Sequence, residues 1–453
     1  MSSMHFSSAV FVPTAWAAVI SLGVSTGCSV TVVNASAADG GGDDGGSGTA
    51  PLVEAAAPPP TTGTQDGGGQ AARDARAGVD AAPSQPFVPA TPPTWPQVPG
   101  AQKVVLKSMK LVTVVSSGDT LASEIFAFAD ALVASQWWTT VTSEYGVGAP
   151  SGSVHVTGPA ITQNPDQPTM LSYITSAIAS NSAAAQDGST MYMLFLPKGI
   201  VAIDPMNGVN TNCQYFGGFH DQFDSMGDAF GVGQRCPTQG TGLTEIQDLT
   251  ITGSHEIVEA ATDPQPGMGW GFGAVDATQP WTSAPTLTAP GGELADLCLG
   301  TQWNEGNVLY QRVWSNQAAA AGGDPCVPAM PGVPYYLSSA PQGWYTVAAG
   351  ASVDIPFAGF STSRSNDWVL ESTPLGSSSA SMTFTATIAS TTRITAQGMV
   401  FPTTNNGRTA TLTVTAPSAA SGSWAVFGVA SLATSSAAGQ DAYHLWPVGV
   451  YTP

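Results

Sequence analysis

The pattern of apolar and polar positions changes character three times along the chain. Near the N-terminus an apolar run extends from Ala9 to about Val24 and gives way to the small residues Ser25-Thr26-Gly27 before Cys28. From about Ala35 to Gly100 periodicity disappears, and runs such as Asp39–Gly46 and Pro58-Pro59-Pro60 take its place. A stretch of this kind cannot bury enough apolar surface to offset its chain entropy. It is therefore expected to be a tether, flexible where Gly-rich and stiffer where Pro-rich.

Periodicity returns near Val104. The β-branched run Leu106–Val115 predicts a buried strand. Asp119 is placed to cap a following helix whose stripe is Leu121, Ile125, Phe128, Leu132 and Val133. A second helix is expected after Pro168, through Met170, Ile174 and Ile178, and a strand over Met191–Leu196 that stops at Pro197. Strand, helix, helix, strand predicts an α/β domain with a mixed sheet. A longer helix starts at Thr244, where Thr244 and Gln247 form a capping-box pair. Ile246, Leu249, Gly253, Ile257 and Ala260 recur every three or four residues and define its buried face. Asp263-Pro264 ends it, because the residue before proline avoids the α region. The opposite face carries His255, Glu256 and Glu259.

Beyond about Pro328 the period shortens to two. Ser352–Phe357, Met382–Ile388, Arg393–Met399, Thr409–Thr415 and Trp424–Ala430 alternate, separated by turns that include Asn405-Asn406-Gly407. Short strands at this spacing predict an all-β, Ig-like sandwich. The expected organisation is a leader over 1–27, a tether over 28–100, an α/β domain over 101–328 and a sandwich over 329–453.

Charge and cysteine usage narrow the setting. Acidic residues outnumber basic ones 31 to 11, for a formal net charge of −20, and that field repels phosphate backbones, so nucleic acid is excluded as a partner. A short apolar core followed by small residues is a signal-peptide pattern and not a membrane span. Gly27-Cys28 resembles the lipobox of bacterial lipoproteins, in which Cys28 would carry the lipid and anchor an extracytoplasmic protein to a membrane. The leader has no Lys or Arg before its apolar core and has Ser25 where Leu is usual, so plain secretion is the alternative. Setting Cys28 aside leaves Cys213, Cys236, Cys298 and Cys326. In an oxidising compartment these predict two disulfides. Of the three connectivities, sequential pairing (Cys213 with Cys236, Cys298 with Cys326) closes the shortest loops and is preferred.

Chemistry concentrates in Gly253–Glu259. His255-Glu256-x-x-Glu259 is a variant of the H-E-x-x-H zinc-peptidase helix. Residues four apart lie one turn apart, so His255 and Glu259 can grip one ion. Glu256 can then act as the base that takes a proton from an attacking water. The motif alone arises by chance in about one in thirty chains of this size, and its bland reading is a helix with a solvated polar face. Its surroundings add candidates: His220 follows Gly217-Gly218-Phe219, and Glu293-Leu294-Ala295-Asp296-Leu297-Cys298 brings two carboxylates beside a cysteine. Either His220 or Asp296 would complete a zinc shell. Asp263 is a lesser candidate, better explained as a helix stop, and His155 is expected to be structural. Trp270 and Trp303 could line a cleft or belong to the core. A serine hydrolase is excluded, since the G-x-S-x-G match at Gly23–Gly27 lies in the expected leader and none occurs in the expected domains.

The ordered set Cys213…Gly218-Phe219-His220…Cys236-Pro237, then Ser254–Pro264, then Glu293–Cys298, then Tyr310-Gln311-Arg312-Val313-Trp314-Ser315 and Cys326 resembles the EXORDIUM-like, phosphate-induced extracellular proteins of plants and their bacterial relatives. The resemblance covers about residues 105–328. It implies a secreted protein, and for the bacterial relatives a zincin-like, zinc-dependent peptidase with a peptide or protein substrate. The competing expectation is a non-catalytic cell-surface binding or signalling module whose ion is structural or vestigial.

Overall fold

The computed structural model describes residues 86–203, 217–236, 243–272, 292–377, 382–394, 400–433 and 443–453. The leader, Cys28, most of the expected tether and Cys213 lie outside them. The α/β part comprises, in chain order, β1 (Lys110–Ser116), α1 (Ala122–Ala134), α2 (Gln136–Thr142), β2 (Gly152–Gly158), α3 (Gln167–Ile178), β3 (Thr190–Phe195), β4 (Gly218–Gln222), β5 (Ala229–Gly233) and α4 (Glu245–Thr262). The five strands form one sheet in the order β2-β1-β3-β5-β4, parallel except for the edge strand β4. The mixed sheet expected from the sequence is present.

Period-two alternation explains the layering. Leu111 and Val115 of β1 and Met191, Met193 and Phe195 of β3 join the cluster that contains Phe128 of α1 and Leu249 and Ile257 of α4. Their neighbours Val112, Val114, Tyr192 and Leu194 join a second cluster with Met170, Ile174 and Ile178 of α3. Strands covered on both faces read as near-continuous apolar runs, which is why Leu111–Val115 is broken only by Thr113 and Met191–Phe195 holds no charged residue. One local expectation changes. Asp119 is not the N-cap of α1: that position is Leu121, and Asp119 accepts the Leu121 N–H (2.8 Å) and pairs with the buried Arg235. Trp137-Trp138 sit in the separate helix α2, capped by Ser135.

A hairpin of β6 (Gln302–Glu305) and β7 (Val308–Gln311) follows α4, then β8 (Val313–Trp314), α5 (Asn316–Ala320) and β9 (Cys326–Val327). From Tyr336 onward every element among the described residues is a strand. It comprises β10 (Tyr336–Ser339), β11 (Trp344–Thr346), β12 (Ser352–Ser361), β13 (Trp368–Ser377), β14 (Thr385–Ala389), β15 (Thr391–Ile394), β16 (Val400–Thr404), β17 (Thr409–Thr415), β18 (Trp424–Leu432) and β19 (Tyr443–Tyr451). One sheet has the order β10-β12-β17-β14, and the other β11-β19-β18-β13-β16-β15. Alternate residues such as Ile355, Phe357, Leu412 and Val414 of the first share a core with Leu370, Val426, Trp446 and Val448 of the second. Four of the five alternating segments overlap β12, β14, β17 and β18; of Arg393–Met399 only Arg393 and Ile394, the end of β15, are described, and residues 395–399 lie outside the described set.

The expected tether ends earlier than Gly100. Trp95 and Val98 are buried, and the Trp95 ring lies 5.9 Å from Trp314, 5.8 Å from Tyr335 and 5.6 Å from Trp446. The side-chain amide of Asn316 pairs with both backbone groups of Val98, at 2.8 Å each. Asn406, in the turn before β17, accepts from Ala90 N–H (2.8 Å) and donates to Val88 C=O (3.0 Å). Proline-rich composition marks an extended chain without saying whether a partner surface receives it. Here a few apolar side chains and two amide clasps lay residues 88–98 across both parts.

Candidate metal centre

The Thr244–Gln247 capping box is formed in both directions, and α4 ends at Asp263 as the Asp-Pro pair predicts. Its Leu249, Gly253, Ile257 and Ala260 face is buried. Gly253 is required there, since a Cβ would come within 2.9 Å of the Phe195 ring and 3.1 Å of Phe128. That close seat on an aromatic floor presses the other side of the helix against β4, β7 and the turn at Glu293–Cys298. The bland reading fails at this point: Glu256 is 5% and Glu259 2% exposed, so the polar face is not solvated.

Three elements, α4, β4 and the Glu293–Cys298 turn, bring their side chains together. His255 Nε2 lies 2.9 Å from Glu259 Oε2 and 3.6 Å from Asp296 Oδ1. From β4, His220 Nδ1 lies 3.7 Å from Glu256 Oε2 and 3.8 Å from Glu259 Oε2, and its Nε2 lies 3.6 Å from Glu293 Oε1. Two sets, His255–Glu256–Glu259 and His220–Glu259–Glu293, each place one ligand atom per residue within 4.8 Å of the others, close enough to hold a metal ion. All five sequence-derived site residues, Glu256, His255, Glu259, Asp296 and His220, therefore meet in one cluster. Glu293 is a sixth member; the sequence shows it only as a carboxylate near Asp296.

The surrounding hydrogen bonds fix how these groups present themselves. Glu259 Oε1 accepts the backbone N–H groups of Ala295 (3.2 Å) and Asp296 (3.1 Å), which leaves Oε2 toward the imidazoles. Gln311, on β7, donates from Nε2 to Ala295 C=O (2.6 Å), so its Oε1 faces His255 Nδ1 at 3.1 Å. That oxygen can only accept, so Nδ1 carries the proton and Nε2 is the nitrogen available to a cation. The Asp263 carbonyl plays the same part for His220, at 3.3 Å from Nε2. Gln311 was missed as a functional residue; its one signal is a polar side chain at a buried strand position in the 310–315 block. Gly218 makes room for Glu256, for a Cβ there would stand 2.7 Å from Glu256 Oε1 and 2.5 Å from Val232 C=O. The Glu293–Cys298 turn is tied down by the Cys298–Cys326 disulfide and by Trp314 N–H donating to Leu294 C=O (3.0 Å). Cys298–Cys326 is one half of the expected pairing. Cys236 is also disulfide-bonded.

Electrostatics reflect the crowding of acids. Burial pushes Glu293 well above the carboxylate range, and the charges of Glu259, Asp296 and Asp263 push it further. Burial and then Glu259 raise Asp296 to about 7. Burial also raises Glu256. Burial opposes charge on both imidazoles, yet the surrounding carboxylates outweigh it and raise His220, and His255 well above its usual value. Glu259 is the exception: the neighbouring imidazoles overcome its burial and hold it low. Without a cation the cluster thus keeps protons where one would sit.

The donor set fits a divalent ion. Nitrogens and carboxylate oxygens suit zinc and also harder ions such as Mn²⁺. Ligand atoms about 2.0–2.1 Å from a tetrahedral centre stand about 3.4 Å apart, and the 2.9–3.8 Å separations bracket that value. Asp263 is excluded as a ligand, because its oxygens accept from Gly267, Met268 and Gly269 N–H at 2.7, 3.1 and 2.7 Å. His155 pairs with Asp130 at 3.0 Å and stacks on Phe126 outside the cluster, and Trp270 and Trp303 pack against the core.

No family model and no curated protein matches the chain. Among solved structures, a family 123 glycoside hydrolase from Clostridium perfringens, described for glycolipid glycan hydrolysis, is similar at 15% identity over 26% of this chain and 23% of its own, with a TM-score of 0.15. A likeness that partial leaves the fold and activity of this chain to its own residues.

Proposed function

We propose that the chain is an exported zinc-dependent peptidase or related hydrolase with a zincin-like α/β domain and an Ig-like sandwich, akin to the EXORDIUM-like proteins it resembles. One observation carries the reading: two imidazoles and four carboxylates converge in a buried cluster, and none of the described ion pairs joins those carboxylates to a lysine or arginine. Buried carboxylates that outnumber their cationic partners, here four against two imidazoles, are costly unless protonated or bound to a metal.

His255 and Glu259, one turn apart on α4, would hold the ion, with Asp296 or His220 completing its shell. A divalent ion bound there supplies Lewis acidity toward a carbonyl and lowers the pKa of water. Glu256 accepts the proton of the attacking water and returns it to the leaving amine. Its burial-raised affinity for protons suits that exchange. Gln311 and the Asp263 carbonyl hold the imidazoles in register, and Gly218 keeps the space that Glu256 occupies.

The test measures metal content of the purified protein and casein-type hydrolysis, with and without chelator, beside Glu256→Gln. Bound metal with chelator-sensitive hydrolysis that the substitution abolishes is the expected result. Bound metal with no hydrolysis would replace the peptidase by a binding module with a structural ion. Extracytoplasmic placement through a lipid on Cys28 is tested separately by acyl labelling of wild type and Cys28→Ser.

A further inference from the structure

We propose that the cluster is a two-ion centre in which Glu259 bridges, with His220 and Glu293 forming a second cation site beside the one at His255. This rests on the metal reading above and extends it. The two triads of possible ligands have one residue in common, Glu259, and the two histidines fall in different triads. Glu259 is built to bridge: Oε1 is occupied by two backbone N–H groups, while Oε2 alone faces both rings, 2.9 Å from His255 Nε2 and 3.8 Å from His220 Nδ1.

The second observation is His220 itself. Its side chain is 3% exposed, and its Nε2 lies 3.3 Å from the Asp263 carbonyl and 3.6 Å from Glu293 Oε1. Nδ1 faces Glu256 Oε2 and Glu259 Oε2, at 3.7 and 3.8 Å. Those distances are too long for hydrogen bonds and close to the separation of two donors that share a cation. Charge points the same way: Glu256, Glu259, Glu293 and Asp296 together carry up to four negative charges, and two divalent ions match them where one does not. A shared carboxylate between ions about 3.5–4 Å apart is a recurring arrangement in hydrolytic sites.

The full chain, stripped with chelator and reloaded with Zn²⁺ or Mn²⁺, should bind two ions per molecule by native mass spectrometry and elemental analysis. Glu293→Gln and His220→Gln should each bind one, with circular dichroism unchanged. The Mn²⁺-loaded wild type should give an exchange-coupled electron paramagnetic resonance signal, a readout that needs no variant to fold. One ion in the wild type with an uncoupled signal overturns the second site, as do two ions retained by both variants. One ion with chelator-sensitive hydrolysis defeats the pair and leaves the hydrolase reading intact, whereas no bound ion defeats both.

Discussion

At the scale of single residues, position matters through what holds a group as much as through the group. Gln311 is the clearest instance, since it couples the His255 ring to the turn that carries Asp296. Replacing it with Leu should weaken metal affinity about 10–100-fold in a chelator competition, while Gln311→Glu, which keeps an acceptor at His255 Nδ1, should lose much less. Equal affinity in Gln311→Leu would remove its role. His444, on β19, offers a pH test away from the cluster. It packs against Tyr335 and Tyr336 at ring-centroid distances of 4.4 and 5.1 Å, and burial lowers its pKa from 6.5 to about 4. The folded chain keeps it neutral, so between those values the unfolded chain binds a proton that the folded one does not. Its contribution is complete above pH 6.5 and is lost as the pH falls toward 4, by about 3 kcal/mol. His444→Phe should flatten that part of the stability curve in urea unfolding at pH 7 and 4.5; an unchanged slope would contradict the assignment.

Elements carry the site by their seating. Helix α4 is fixed at one end by its capping box, in the middle by Gly253 against Phe195 and Phe128, and at the other end by Asp263, whose side chain gathers three N–H groups of the following turn. Thr244→Ala should cost about 1 kcal/mol and leave metal binding unchanged, because the cap lies more than two turns from His255. Gly218→Ala should do the reverse, displacing Glu256 and reducing hydrolysis by two orders of magnitude or more while costing about 1–3 kcal/mol in stability. A Gly218→Ala protein of wild-type activity would show that Glu256 does not need its observed position. The block Tyr310–Ser315 is explained at this scale too. Tyr310 stacks on Trp137 (4.8 Å), Gln311 holds His255, Arg312 is buried against Asp324, Trp314 meets Trp95 and Ser315 caps α5.

For the molecule as a whole, the boundary expected near residue 328 is crossed by one hydrophobic cluster. It contains Phe195 and Leu249 from the α/β part and Leu412 and Trp446 from the β part, with Trp95 between Trp314 and Trp446. The strap at 88–98 adds hydrogen bonds to both. Trp95→Ala should therefore cost about 3–5 kcal/mol and should lower the urea midpoint of the α/β and β parts together when followed by fluorescence and circular dichroism. A variant in which only one part shifts would mean that the strap serves that part alone.

The sequence by itself determined the local layers of this protein. Periods of two and 3.6 marked the strands and helices, the T-x-x-Q and Asp-Pro signals bounded α4, and residue spacing put His255 and Glu259 on one turn. These are short-range consequences of backbone geometry, legible without knowing where a segment goes. Which groups surround that turn was decided only by the tertiary structure. His220 reaches it because β4 lies antiparallel at the sheet edge, and Glu293 and Asp296 reach it because a disulfide and two backbone N–H bonds to Glu259 fold their turn over the helix. Gln311 reaches it because β7 packs alongside. Burial of the polar face, the strap and the shared core depend on contacts between residues far apart in the chain, and no local pattern carries that information.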